Sequence, residues 1–250
     1  MTYLIDGTDN RNKILKNLMK NNNFNVDTYE SNKCLSKTDK LIFAPNKKFD
    51  KDFCNSLPNG ITIFSGNIPQ EVEEIFKQKN ISHKNFMQDE SFAIQNSHLT
   101  AEGILSLLIS QQPKSIFAIN VLILGGGRVG KTLALLLNKL GIQFDIVAHS
   151  QKTFESCVYF SNSVIFGDEF KEKLSQYDVI VNSIPSEILT NEDIEKIKPG
   201  CLFLEISSIQ TIKKEKLDFV YELCPALPQK FSASSAGKLL FDCFLRLNKD

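Results

Sequence analysis

The chain has 250 residues, 42% of them hydrophobic, enough to bury the core of one large or two small domains. Its 29 Lys and Arg balance 29 Asp and Glu, which argues against a nucleic acid or an anionic membrane surface as the main partner. No run approaches the ~18 apolar residues of a membrane span, and "MTYLIDGTDNR" carries no basic-then-apolar signal segment. The three histidines, His83, His98 and His149, are too scattered for a His-rich metal site. Six cysteines (Cys34, Cys54, Cys157, Cys201, Cys224 and Cys243) form no C-x-x-C pair and mostly sit in apolar runs. They read as reduced, buried thiols of a cytosolic protein.

In chain order, "TYLID" (2–6) is a short apolar strand, followed by a polar helix with Ile14, Leu15 and Leu18 on one face. "FNVDTY" (24–29) alternates like a strand. "KLIFAP" (40–45) and "GITIFSG" (60–66) are buried-type strands, and "EVEEIFKQ" (71–78) is a helix. The stretch 96–115 predicts a helix capped by Thr100 and ended by Pro113, and the domain junction is expected there. A second block follows, with a strand at 121–124, a helix over about 128–140, and strands at 143–150, 163–167, 177–185, 201–208 and 217–223. An amphipathic helix over 232–248 closes the chain. Strands alternating with helices imply a largely parallel α/β fold in two domains. The expected limits are an N-terminal α/β domain over 1–100, a linking helix over 101–115, a Rossmann domain over 116–231 and a closing helix over 232–250.

"VLILGGGRVGKTLALLLNKLG" (121–141) fits two phosphate-binding patterns at once. Gly125, Gly127 and Gly130 spell the dinucleotide fingerprint G-x-G-x-x-G; Gly125, Gly130, Lys131 and Thr132 spell the triphosphate loop G-x-x-x-x-G-K-T. The surroundings favour the dinucleotide. After Gly141 the chain passes directly into a strand, which gives a compact βαβ unit of ~30 residues. Glu205 in "LFLEISS" imitates a magnesium-site carboxylate, but no second anchor accompanies it. A bare tight turn without ligand stays as the third reading.

Ligands of open parallel sheets bind beyond the carboxyl ends of the strands. That rule selects Gly125, Gly127, Arg128, Val129 and Gly130; then His149, Ser150 and Lys152; then Asn182, Ser183, Ile184 and Pro185; and Glu205. The second strand ends "AHSQK", without the carboxylate that usually holds the ribose of NAD, and Asp145 falls too early. A 2′-phosphate meets no like charge there, and Ser150, Lys152 or a protonated His149 can hold it. The expected cofactor is therefore NADP, with NAD as the alternative.

"FAIQNSHLTAEGILSLLI", the glycine loop and "DVIVNSIPSEIL", with "GTDNR" (7–11), "IFSG" (63–66) and the final "ALPQKFSASSAGKLL", resemble the A subunits of dipicolinate synthase in matching order. The resemblance implies a cleft between an N-terminal α/β domain and a C-terminal NAD(P)-binding Rossmann domain. It also implies oxidation of a dihydropyridine-type dicarboxylate to pyridine-2,6-dicarboxylate, which accumulates with calcium in bacterial spores. The implied partner is a flavoprotein B subunit, and the implied place is the cytoplasm of the mother cell. Homo-oligomers are left open. The chain departs from the family's pattern in three places. "EISSIQTIKKEKLDF" lacks the Ser/Arg/Pro/Gly/Gly-like turn, Pro225-Ala226-Leu227-Pro228-Gln229 replaces a Pro-Gly-Leu-Pro-Gly-like element, and His98-Leu99 replaces Ile-Pro.

A dicarboxylate calls for a cation. Arg11 is the candidate in the first domain, able to grip a carboxylate with two parallel bonds or to pair with Asp9 instead. Ser183 offers a hydrogen bond towards the nicotinamide. Loss of a ring hydride also releases a proton, and His98, Glu102 and Glu205 are the candidate bases. Two rivals remain: a shikimate-dehydrogenase-like oxidoreductase, against which no Lys/Asp pair is found in the first domain, and a non-catalytic dinucleotide-binding module.

Overall fold

The computed structural model describes residues 2–30, 35, 36, 38–159, 161, 163–213 and 216–249; Cys34 lies outside them. The chain divides into two compact units, residues 1–99 with 228–250, and residues 100–227.

The first unit opens with β1 (Tyr3–Ile5), α1 (Asn10–Asn21), β2 (Val26–Thr28), β3 (Lys40–Ile42), α2 (Lys51–Ser56), β4 (Thr62–Ser65), α3 (Gln70–Gln78) and β5 (Ser82–Asn85). All five strands are parallel, in the order β2-β1-β3-β4-β5. The order reverses between β1 and β3, the topological switch point of the flavodoxin-like arrangement. Asp9 caps α1 by accepting from the Arg11 N–H at 2.8 Å. The apolar runs of β1, β3 and β4 are buried on both faces, as a helix-covered parallel sheet requires.

The next helix, α4 (Glu90–Gln111), is a single run of 22 residues. It starts ten residues before the expected Thr100 cap. Asp89 caps it instead, accepting from the Phe92 N–H at 2.8 Å. Thr100 lies inside the helix, and Gly103 is a buried interior position. The boundary between the units falls after Leu99, within this helix.

The second unit contains β6 (Asn120–Leu124), α5 (Arg128–Leu140), β7 (Gln143–Ala148), α6 (Gln151–Val158), β8 (Val164–Phe166), β9 (Val179–Asn182), α7 (Asn191–Glu195), β10 (Leu202–Glu205) and β11 (Val220–Leu223). The six strands are parallel in the order β11-β10-β9-β6-β7-β8. Counted from β6 this is 3-2-1-4-5-6, the doubly wound Rossmann arrangement, with its switch point between β6 and β9. The register sets Leu124 beside Asn182 and Asn182 beside Glu205, so three strands end level at that edge.

The chain then passes through α8 (Leu227–Phe231) into α9 (Ala233–Leu247). The expected limits set 232–250 apart and ran the Rossmann domain to 231. The compact units divide differently, because the apolar face of α9 belongs to the first core. Leu239, Leu240, Phe241, Cys243 and Phe244 pack with Tyr3, Leu15, Met19 and Phe64. Tyr3, Phe24 and Phe244 meet edge to face with centroids 5.3–5.6 Å apart. Arg246 forks onto Asp89 at 2.6 and 3.0 Å. The five described cysteines form no disulfide with one another and are buried.

Candidate dinucleotide site

The two readings of the glycine loop differ in where the helix begins. Here only Gly125, Gly126 and Gly127 separate β6 from α5. Lys131 and Thr132 are already inside the helix: the Lys131 N–H donates to the Gly127 carbonyl at 3.0 Å, and Thr132 Oγ1 donates to the Arg128 carbonyl at 2.8 Å. A triphosphate loop needs that amide and that hydroxyl for phosphate and magnesium. The dinucleotide reading needs neither.

The glycines fit the dinucleotide roles individually. Gly125 has φ +106°, and a Cβ there would stand 2.6 Å from Ser183 Oγ. At Gly130 a Cβ would lie 1.9 Å from the Gly125 carbonyl oxygen, so α5 packs on the turn only with glycine. At Gly127 a Cβ meets nothing within 4 Å. Gly127 is the N-cap of α5 and supplies no side-chain cap, and an uncapped helix amino end is the kind of terminus that holds an anion. One close-packed glycine, one turn glycine and one open glycine at a helix start are what a pyrophosphate cradle requires. Arg128 and Val129 occupy the first turn of α5 beside it. Two supports went unread in the sequence: Thr153 and Cys157 of α6 crowd Gly126, where a Cβ would stand 2.4 and 2.8 Å from them. Burial pushes the Cys157 thiol up, against the pull of Lys131, so it serves as packing.

At the end of β7, His149, Ser150 and Lys152 are exposed, and no carboxylate stands among them. The His149 ring rests edge-on against Phe170, centroids 6.2 Å apart. Ser150 is not spare. Its hydroxyl caps α6, accepting from the Thr153 N–H at 3.3 Å and donating to Thr153 Oγ1 at 2.8 Å. Asp145, set aside in the sequence as too early, accepts from the buried Tyr177 hydroxyl at 2.5 Å, lower in the strand.

At the ends of β9 and β10 the side chains form a network. Ser183 donates to the Leu124 carbonyl through its hydroxyl at 2.9 Å and its N–H at 3.0 Å, tying the β9 turn to the phosphate strand. Asn182, 1% exposed, accepts from the Ile184 N–H at 3.0 Å, while its Nδ2 lies 3.1 and 3.2 Å from the two oxygens of Glu205 and 3.1 Å from Thr211 Oγ1. Glu205 is also 1% exposed. It further accepts from the Ser207 N–H (3.2 Å), the Thr211 N–H (3.3 Å), the Thr211 hydroxyl and the Tyr221 hydroxyl (3.3 Å). Burial, and then the Glu205 charge, push the Tyr221 phenol up to about 12. Thr211 and Tyr221 were not legible as site residues, because they lie 6 and 16 positions from Glu205. Pro185 is exposed and Ile184 half-buried, the latter against the Gly125 turn.

The remaining candidates lie elsewhere. Arg11 is in the first turn of α1, 3% exposed, with Nε 3.0 Å and Nη2 2.6 Å from the Asp9 carboxylate, and Nη2 also bonded to Asn46 Oδ1. Of its two expected partners, the structure gives it Asp9. His98 and Glu102 are both exposed, one turn apart on α4.

No protein-family model matches the chain. In sequence, an alignment 205 positions long, covering 79% of this chain and 68% of the other, gives 28% identity with the A subunit of dipicolinate synthase from Bacillus subtilis (strain 168). The crystal structure of the corresponding dipicolinate synthase A subunit from Bacillus halodurans matches all of this chain and 98% of its own, with TM-score 0.84 and 18% identity. The likeness is to the A subunits of dipicolinate synthase. The fold is also that of a D-isomer specific 2-hydroxyacid dehydrogenase from Lactobacillus delbrueckii ssp. bulgaricus, solved in its NAD-complexed form, over 99% of this chain and 96% of that one (TM-score 0.56, 10% identity).

Proposed function

We propose that the chain is a nicotinamide-dinucleotide-dependent oxidoreductase, the A component of a dipicolinate synthase. The observation that carries this reading is the three-glycine turn between β6 and α5, at the switch point of a 3-2-1-4-5-6 sheet, in a chain that aligns over most of its length with such a protein. The reaction is the oxidation of a dihydrodipicolinate-type precursor to pyridine-2,6-dicarboxylate. When bound, the dinucleotide supplies the hydride acceptor, and a proton leaves the ring as it becomes aromatic. The amides of Gly127, Arg128 and Val129 hold the pyrophosphate. His149 and Lys152 face the adenosine ribose, and the absence of a carboxylate beside them favours NADP over NAD. Because Ser150 is committed to capping α6, the 2′-phosphate falls to His149 and Lys152.

The turn Asn182–Pro185, held by Ser183 and Glu205, supports the nicotinamide half. Glu205 is surrounded by donors and orients this turn rather than accepting the substrate proton; His98 and Glu102, exposed on α4, remain the bases. Arg11 holds Asp9 and Asn46 and shapes the first turn of α1. The partner is a flavoprotein B subunit, and the setting is the cytoplasm of a sporulating mother cell. Co-expression with that flavoprotein, followed by the absorbance of pyridine dicarboxylate, tests the reading. Formation of product that depends on this chain and on dinucleotide supports it. One observation favours a second reading, a dinucleotide-binding module without catalysis: Arg11 and Glu205 are both fully engaged within the protein. Dinucleotide binding without turnover, B protein present, would decide for it.

A further inference from the structure

Glu205 is a buried carboxylate that, among the described residues, has no counter-ion. Its oxygens receive Asn182 Nδ2, the Ser207 and Thr211 N–H groups, and the Thr211 and Tyr221 hydroxyls, all of them neutral. Among the described residues no Lys, Arg or His forms an ion pair with it. Buried charges are ordinarily matched by an opposite charge, because neutral donors recover only part of the lost hydration. The other buried carboxylates of this unit follow that rule: Asp178 pairs with Lys114 and Lys198, and Asp193 lies by Lys171 and Lys196.

The position of this unmatched charge is specific. Glu205 ends β10, level with Asn182 at the end of β9 and one strand beyond the switch point. In a sheet of this order the two halves take the two mononucleotides, and β9–β11 is the half that does not carry the glycine turn. The nicotinamide ring bears one positive charge when oxidised and none when reduced. We infer that Glu205 supplies a fixed negative charge to the nicotinamide half of the site and makes it favour the oxidised over the reduced dinucleotide. The inference rests on the dinucleotide reading above. Its consequence suits an enzyme that oxidises its substrate: the site loads with the oxidised cofactor, and the attraction disappears once hydride has neutralised the ring.

The test compares dissociation constants of the oxidised and reduced forms of NADP, and of NAD, by equilibrium titration without substrate. The unmodified protein is expected to hold the oxidised form more tightly. Glu205→Gln should shift the oxidised-to-reduced preference towards the reduced form by on the order of tenfold, the effect of one charge acting over about 10 Å at an effective dielectric of about 20. Glu205→Asp keeps the charge but shortens the reach to Asn182 and Thr211. It should weaken both forms alike and leave the preference where it was. A purely structural role for Glu205 would weaken both forms alike in both variants. A wild-type preference for the reduced form, or an unchanged preference in Glu205→Gln, overturns the inference while leaving the dinucleotide reading intact. If Glu205→Gln does not fold, the wild-type comparison still decides: tighter binding of the oxidised form supports the inference, and equal affinity for the two forms overturns it. Failure of the wild type to bind either form removes the dinucleotide reading itself, and the inference with it.

Discussion

Gly127→Asp separates the folding role of the glycine turn from its binding role, because the two effects have different sizes. Gly127 sits at φ −74° and ψ −169°, extended backbone open to any residue, and a Cβ there meets nothing within 4 Å. It is an N-cap without a side-chain bond, and aspartate is among the best N-caps, better than glycine by a few tenths of a kcal/mol. The unliganded protein should therefore unfold at the same denaturant concentration as wild type or slightly above it. Binding should respond in the opposite way. The new carboxylate stands where the pyrophosphate approaches, and two like charges about 4 Å apart at an effective dielectric of about 20 repel by about 4 kcal/mol, roughly a thousandfold in affinity. Denaturant unfolding of the free protein and equilibrium titration with NADP and NAD measure the two arms. An unchanged dissociation constant would refute the phosphate assignment. A large loss of stability would refute the claim that this position is open.

His149→Asp places a carboxylate at the end of β7; NADP should bind at least about tenfold more weakly while NAD is held or improved, as titration of both would show. Ala226 has φ +55°, a left-handed conformation that favours glycine. Ala226→Gly should stabilise the fold by about 1 kcal/mol in chemical denaturation, since the Cβ penalty of that conformation is removed. Asp178 provides a pH test. Burial alone would raise its carboxyl, but bonds from the Asn120 N–H, Lys114 and Lys198 outweigh it and hold the group at about 2, below the usual 3.8. A depressed carboxyl stabilises the fold above its unfolded pKa and loses that contribution as pH falls through the folded value. Asp178→Asn should therefore cost about 2 kcal/mol at pH 7, with the difference from wild type closing between about pH 4 and 2. A difference that persists at pH 2 would show that packing, not charge, is responsible.

The parts that were legible in the sequence are those in which local pattern and tertiary role coincide. The apolar run of β6, the glycine turn and the left-handed Gly141 (φ +73°) that ends α5 mark a βαβ unit within about 30 residues. The β9 turn was recognisable because Asn-Ser-Ile-Pro follows an apolar strand. β5 was hidden because "SHKN" is polar and only Asn85 is buried; backbone pairing to β4, rather than a hydrophobic pattern, makes it a strand. The start of α4 was displaced because Thr100 is of a capping type and imitates a helix beginning, while the true cap, Asp89, is recognised through Phe92 and a distant Arg246. The same limit applies to the site. Glu205 was visible as a carboxylate at a strand end, but its donors come from three separate segments, so its confinement could not be read locally. Arg11 presented two partners in the sequence; the fold sets it on Asp9 and brings up Asn46, 35 positions away, a contact that no local pattern shows.

The phosphate ligand that the amino end of α5 accepts separates a dinucleotide enzyme from a triphosphate-binding one. A crystal of the chain grown with both NADP and magnesium–ATP measures this most directly. The expected result is the dinucleotide bridge on the amides of Gly127, Arg128 and Val129, with the nicotinamide half over β9 and β10. Triphosphate and magnesium seated on Lys131 and Thr132 would contradict it.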